Sequence, residues 1–219
     1  VPRVVSLGGS CAGCDLATRK LAGARFLGGD FRGASLVGSD LKGAVFMGSN
    51  FAGADLSHAD LRGATLTGAD FAHGDFSGAM MQGVTGIGAE FIHANLQGAQ
   101  MQNLAIPGLD LRDVSAQGAR FDHARLTAAE LQGGHFEGAS FRGADLTGAN
   151  LSGAHFDHAD FTDAKLVAAQ IAGAVFAGVR GLTHDQLAEA CGDHGGRGGR
   201  GRADQPCGHG VVIVRRGED

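Results

Sequence analysis

Residues 54–73 read ADLSH-ADLRG-ATLTG-ADFAH, four blocks of five that share one pattern. Each block opens on Ala, carries Leu or Phe third, and ends on Gly or His. Extended in both directions, a large apolar residue recurs every five positions from Leu16 to Phe176. The 33 slots hold 14 Leu, 13 Phe, two Met (Met81, Met101) and two Ile (Ile106, Ile171); only Gly86 and Ala116 depart. Two positions before each centre, Ala fills 22 of the 33 slots, and two positions after it Gly dominates. A period of five matches neither the 3.6 of a helix nor the 2.0 of a strand. Two inward residues per five, followed by a bend, give a polygonal coil whose turns stack through main-chain hydrogen bonds.

The units Ala54-Asp55-Leu56-Ser57-His58, Ala69-Asp70-Phe71-Ala72-His73 and Ala149-Asn150-Leu151-Ser152-Gly153 resemble the A(D/N)LXX repeat of pentapeptide-repeat proteins. The resemblance covers residues 16–180. It implies an all-β fold: a right-handed quadrilateral parallel β-helix with four repeats per coil. The centre and the small residue two before it would face inward. Twenty residues per coil predict about eight coils and, at about 4.8 Å per step, a rod about 40 Å long.

Side chains 20 positions apart should then form ladders. Phe31, Phe51, Phe71 and Phe91 fall in one, Phe121, Phe141 and Phe161 in a second, and Phe136, Phe156 and Phe176 in a third. Gly86 follows Val84 and Ala116 follows Val114, so the small slot grows where the large one shrinks, as close packing requires. Leu104, Leu109 and Pro107 predict a local distortion within 101–116.

The chain divides into an N-terminal cap or partial coil (1–15), the repeat solenoid (16–181) and a C-terminal segment (182–219). Leu182-Thr183-His184-Asp185-Gln186-Leu187 predicts a short capping helix, with Thr183 as N-cap, Gln186 as its reciprocal partner and Leu182 and Leu187 as the staple. GGRGGRGR at 195–202 reads as a flexible linker, because three Arg with no aromatic make a poor nucleic-acid segment. Val211–Val214 could add one strand to the cap.

Composition removes several classes. The chain has 39 Gly but 3 Pro in 219 residues, without the strict triplet of collagen. Hydrophobic content of 43% with 19% charge is too apolar for a disordered chain. No apolar run is long enough to span a membrane. A net charge of −5 gives no reason for direct nucleic-acid binding. No phosphate-binding loop and no nucleophile–base arrangement stands out from the repeat, so no enzymatic activity and no cofactor are expected.

Cys11 and Cys14 precede the first clean repeat, and Cys191 and Cys207 follow the last. An even count placed at both ends suits two disulfides. The rival readings are a zinc site and a redox CxxC; the rod between the pairs opposes the first, and the missing βαβ context opposes the second. Disulfides predict a periplasmic or secreted protein, the alternative being cytoplasmic. A start at Val1, with no initiator Met, fits removal of a leader.

Sorting outward positions by 20-residue spacing gives four faces. One is weakly polar: Leu27, Val45, Met47, Thr65, Thr67, Ile87 and Val167 suit contact with a protein partner, or with a second copy through a face or an end. A second carries an acidic column: Asp30, Asp70, Glu90, Asp110 and Glu130. A third mixes Lys42, Arg62, Arg120 and Arg142 with acids. On the fourth, His135 and Glu137 lie one rung from His155 and Asp157, near enough to hold a divalent ion, with His158 at the adjoining corner; the commoner explanation is an exposed polar patch.

The resemblance raises one alternative to a scaffold: some pentapeptide-repeat proteins linked to quinolone resistance mimic DNA and protect gyrase. Residues 1–180 carry 17 acidic and 13 basic residues, a net of −4. Over a rod of this length that is about 0.1 charge per Å, against about 0.6 for duplex DNA. The favoured reading is therefore a non-enzymatic interaction scaffold.

Overall fold

The computed structural model describes residues 6–190. Five short strands form one parallel sheet in chain order: β1 (Ser6–Leu7), β2 (Arg25–Leu27), β3 (Val45–Met47), β4 (Thr65–Thr67) and β5 (Thr85–Ile87). One helix follows, α1 (His184–Ala190). Between them, parallel bridges join each residue preceding a centre to its equivalent 20 positions on, from Ser10↔Asp30 to Asp160↔Arg180. The coil is therefore 20 residues and four repeats. Only β1 departs, pairing Ser6 with Arg25 at an offset of 19.

One repeat shows why five residues suffice. In residues 30–34, Asp30 N–H donates back one coil to Gly9 O (2.8 Å). Phe31 N–H and Gly33 N–H donate forward to Asn50 O (2.7 Å) and Ala52 O (3.0 Å), and Ala34 N–H closes the turn on Phe31 O (3.0 Å). The fifth, Arg32 N–H, donates to the side chain of Asp30 at 3.2 Å. Every amide in the repeat is satisfied, as buried or stacked backbone requires. The Asp or Asn before the centre is thus a turn cap. Asp15, Asp40, Asn50, Asp55, Asp60, Asp70, Asp75, Asn95, Asp110, Asp145, Asn150 and Asp160 make the same bond two residues on.

The corner falls two residues after the centre. All 33 such residues have positive φ: 22 are Gly and 11 are not. Five of the latter are His (58, 73, 93, 123 and 158) and three are Asn103, Asp113 and Asp163, types that tolerate the left-handed region best. Three of these His meet a Gly on the next coil. A Cβ on Gly78, Gly143 or Gly178 would lie 2.7, 2.6 or 2.6 Å from Nδ1 of His58, His123 or His158.

The core is a continuous column of centre and small-slot side chains, and all 13 Phe are at most 1% exposed. The three predicted ring ladders are present: Phe31–Phe51 stack at 4.7 Å and 7°, Phe121–Phe141 at 4.9 Å and 4°, Phe136–Phe156 at 5.3 Å and 11°. Phe26–Phe46 add a fourth stack at 4.8 Å. Edge-to-face contacts then join neighbouring ladders, as between Phe26 and Phe31 at 5.1 Å and 87°. Both geometries suit the ring quadrupole.

Two expectations about irregular repeats change. The predicted distortion at 101–116 is absent, since bridges run unbroken through Ala105, Asp110 and Ser115. No Phe occupies a centre between Phe91 and Phe121, and fully buried Leu104 and Leu109 take the volume the rings would fill. Ala105 cannot cap the following turn, and Pro107 lacks the N–H that would need the cap. Gly86 has a backbone cause beyond volume exchange with Val84. Its φ is +151°, and an added Cβ would strike the Leu66 carbonyl in β4.

Helix α1 closes the open end. Thr183 N–H donates to Gln186 Oε1 (2.7 Å) and Gln186 N–H to Thr183 Oγ1 (3.3 Å), the reciprocal box the sequence predicts. Gln186 Nε2 also donates to Ala164 O (2.6 Å) and Phe161 O (3.3 Å) of the final coil. Leu187 and Ala190 are buried, and Leu182 packs against the core. Among the described residues no helix is long and apolar enough to cross a membrane.

Candidate functional site

The outer faces are the places where chemistry can occur. Strands β2–β5 make one of them regular, with alternate residues turned out. Leu27, Met47 and Ile87 are 37, 48 and 64% exposed, beside half-buried Val45, Thr65 and Thr67. The apolar strip continues to Ala105 and Pro107. Beyond it the bridge Ala105↔Arg125↔Asp145↔Lys165 brings charge onto the same face. Val167 lies there, half-buried, outside the apolar strip.

The acidic column forms one ladder: Asp30, Asn50, Asp70, Glu90, Asp110 and Glu130 bridge in sequence. Two of its acids are neutralised on their own face. Arg32 grips Asp30 through Nε (2.8 Å) and Nη2 (2.7 Å), and Arg112 grips Asp110 likewise (2.9 and 2.6 Å). The Arg32 hydrogen bonds pull the Asp30 carboxyl down to about 2. Asp70 caps its own turn. These acids thus have local structural partners that their column arrangement in the sequence does not reveal.

The His-Phe-Glu of 135–137 and the His-Phe-Asp of 155–157 lie on consecutive coils through the His135↔His155 bridge. The two imidazoles stack at 5.0 Å and 9°. His135 Nδ1 donates to Glu137 Oε1 at 2.9 Å, and His155 Nδ1 lies 4.0 Å from Asp157 Oδ2. Ligand atoms of Glu137, His155 and Asp157 all fall within 4.8 Å of one another. Burial raises the Glu137 pKa, but the His135 hydrogen bond, a backbone N–H and the charges of both histidines outweigh it and hold the carboxyl below its ordinary value. Oε2 of Glu137 is buried with no hydrogen-bond partner. His158 turns away to the corner against Gly178. His73 and His93 also stack at 5.0 Å, at corner positions.

Cys11 and Cys14 are joined by a disulfide, with Cα atoms 5.2 Å apart. It sits in the first coil, where Cys11 packs partly against the core. Cys191 and Cys207, the Gly/Arg segment and Val211–Val214 lie outside the described residues.

A family model described as pentapeptide repeats matches residues 49–85, 75–103, 108–143 and 139–178, and a second of the same description matches 21–65. Among solved structures, the chain is similar to HetL, a pentapeptide repeat protein involved in heterocyst differentiation regulation in the cyanobacterium Nostoc sp. strain PCC 7120. Identity is 26%, over 78% of this chain and 84% of that one, with a TM-score of 0.37. It is also similar to a trypsin-treated variant of QnrB1, a plasmid-mediated fluoroquinolone resistance protein, at 18% identity over 85% and 95% and a TM-score of 0.44. A pentapeptide repeat protein from the Arabidopsis thaliana thylakoid lumen is 26% identical over 55% and 70%, with a TM-score of 0.30. Among curated proteins none matches the chain. The unbroken five-residue register, the 20-residue coil and both family models give one conclusion: the chain belongs to the pentapeptide-repeat family.

Proposed function

We propose that this protein is a non-enzymatic scaffold that meets a protein partner through the face of β2–β5. The observation that carries the reading is the row Leu27, Met47 and Ile87, exposed on the regular strands of a rod that otherwise buries its large apolar residues. Apolar side chains held in water on a flat strip favour burial against another surface. Val45, Thr65 and Thr67 fill the ground between them. The DNA-mimic alternative draws less support, since Arg32 and Arg112 neutralise their own acidic ladder. The Cys11–Cys14 disulfide supports an oxidising compartment, periplasmic or secreted.

A photo-crosslinking residue at Met47, with the same residue at Ser152 on the acidic face as control, tests the reading. Adducts with one defined protein, or with a second copy of this chain, from position 47 alone are expected. They should vanish in the Ile87→Glu background. Equal adducts from both faces, or none, would overturn it.

A further inference from the structure

We propose a divalent transition-metal site on the face opposite β2–β5, with Glu137, His155 and Asp157 as ligands and His135 as the residue that positions Glu137. The donor atoms of the three ligands lie within 4.8 Å of one another. Around one ion with bonds of about 2.1 Å, tetrahedral donors lie about 3.4 Å apart. Small χ rotations of these half-buried side chains close the difference, because their backbones already stand on adjacent, hydrogen-bonded rungs.

An independent observation concerns Glu137. Its side chain is 34% exposed, but the Oε2 atom is enclosed and has no hydrogen-bond partner. That oxygen is left free to accept a cation. His135 takes the other oxygen through Nδ1 at 2.9 Å, an imidazole–carboxylate pairing of the kind that orients metal ligands.

The ligand chemistry selects the ion. An imidazole with two carboxylates suits Zn²⁺ and its first-row neighbours, whereas Mg²⁺ and Ca²⁺ prefer oxygen alone. The site spans two coils and ends there. The preceding rung carries Ser115 and Gln117 and the following one Val175 and Ala177, which offer no charged ligand. A bound ion would clip two successive coils from outside, remote from the apolar strip.

Titration calorimetry with Zn²⁺ tests this in the full chain carrying Cys191→Ser and Cys207→Ser, so that neither sulfur can compete for the ion. One Zn²⁺ per chain is expected. His155→Ala and Asp157→Ala should each weaken it at least tenfold. His135→Ala should weaken it by about 10–100-fold, with His135→Gln recovering part of the loss through its side-chain N–H. His73→Ala with His93→Ala should leave it unchanged. In the unsubstituted site, Zn²⁺ should shift the ring-proton resonances of His155 before those of any corner histidine, a readout that depends on no variant's folding. No bound Zn²⁺, or binding indifferent to His155→Ala and Asp157→Ala, would overturn the assignment.

Discussion

Phe31 and Phe51, twenty residues apart in the chain, stack with ring centroids 4.7 Å apart and planes within 7°. Phe51 also meets Phe26, Phe46 and Phe71, so one ring ties two ladders and three coils together. Phe51→Ala should cost about 3–5 kcal/mol, the range for a buried aromatic that leaves a cavity. Phe51→Leu should cost less, since Leu fills equivalent slots elsewhere. Urea denaturation of both variants measures the difference.

Gly86 and Gly88 make a controlled pair. A Cβ at Gly86 would strike the Leu66 backbone, whereas one at Gly88 (φ +62°) meets nothing within 4 Å. Gly88→Ala should cost about 1–2 kcal/mol, the penalty for a left-handed L-residue. Ala128 and Ala168 already sit at equivalent corners with φ of 54° and 55°. Gly86→Ala should cost more than Gly88→Ala, because the β4–β5 pairing itself must shift. Thermal melts of the two variants decide the order.

Gln186 links the helix to the final coil, and Ala168 N–H donates to Glu189 O at 2.9 Å within the same junction. Gln186→Ala removes one half of the capping box and frees the Ala164 carbonyl. A loss of about 1–1.5 kcal/mol should speed exchange of the Ala168 amide by about tenfold. Amides in the β2–β5 sheet should be unaffected. A uniform rise in exchange along the rod would show that the helix is instead needed for global stability.

Asp30 provides a pH prediction. Its folded pKa of about 2 lies below the ordinary 3.8, so its stabilising contribution is complete above that ordinary value. The contribution is lost as pH falls through about 2. NMR titration of the Asp30 carboxyl should give a midpoint near 2 in the native chain. Arg32→Ala should return the midpoint toward 3.8, because the Arg32 side chain supplies the largest lowering.

The repeat was legible because its information is local. A centre at every fifth residue states which side chains point in, and the Phe spacing of 20 states which rings meet. The Thr183–Gln186 box was legible for the same reason, as its partners are three residues apart. The role of Asp and Asn was harder to see. Their side chains cap an N–H two residues on, which a periodic pattern marks as outward and polar without giving a cause. Leu104 and Leu109 misled because a large residue in a small slot looks like a fault until the missing rings beside it are counted.

The sequence alone determined the five-residue register, the inward columns, the glycine-rich corner and the capping helix, since each is set by residues within one repeat of each other. Only the tertiary structure decided what depends on contacts between coils or on side-chain direction. It placed Arg32 on Asp30 and fixed Gly86 by the approach of the Leu66 backbone. It also turned His158 away while bringing Glu137 to His155 and Asp157. A period gives the column a side chain occupies; the distance and angle at which two columns meet depend on how the coils stack.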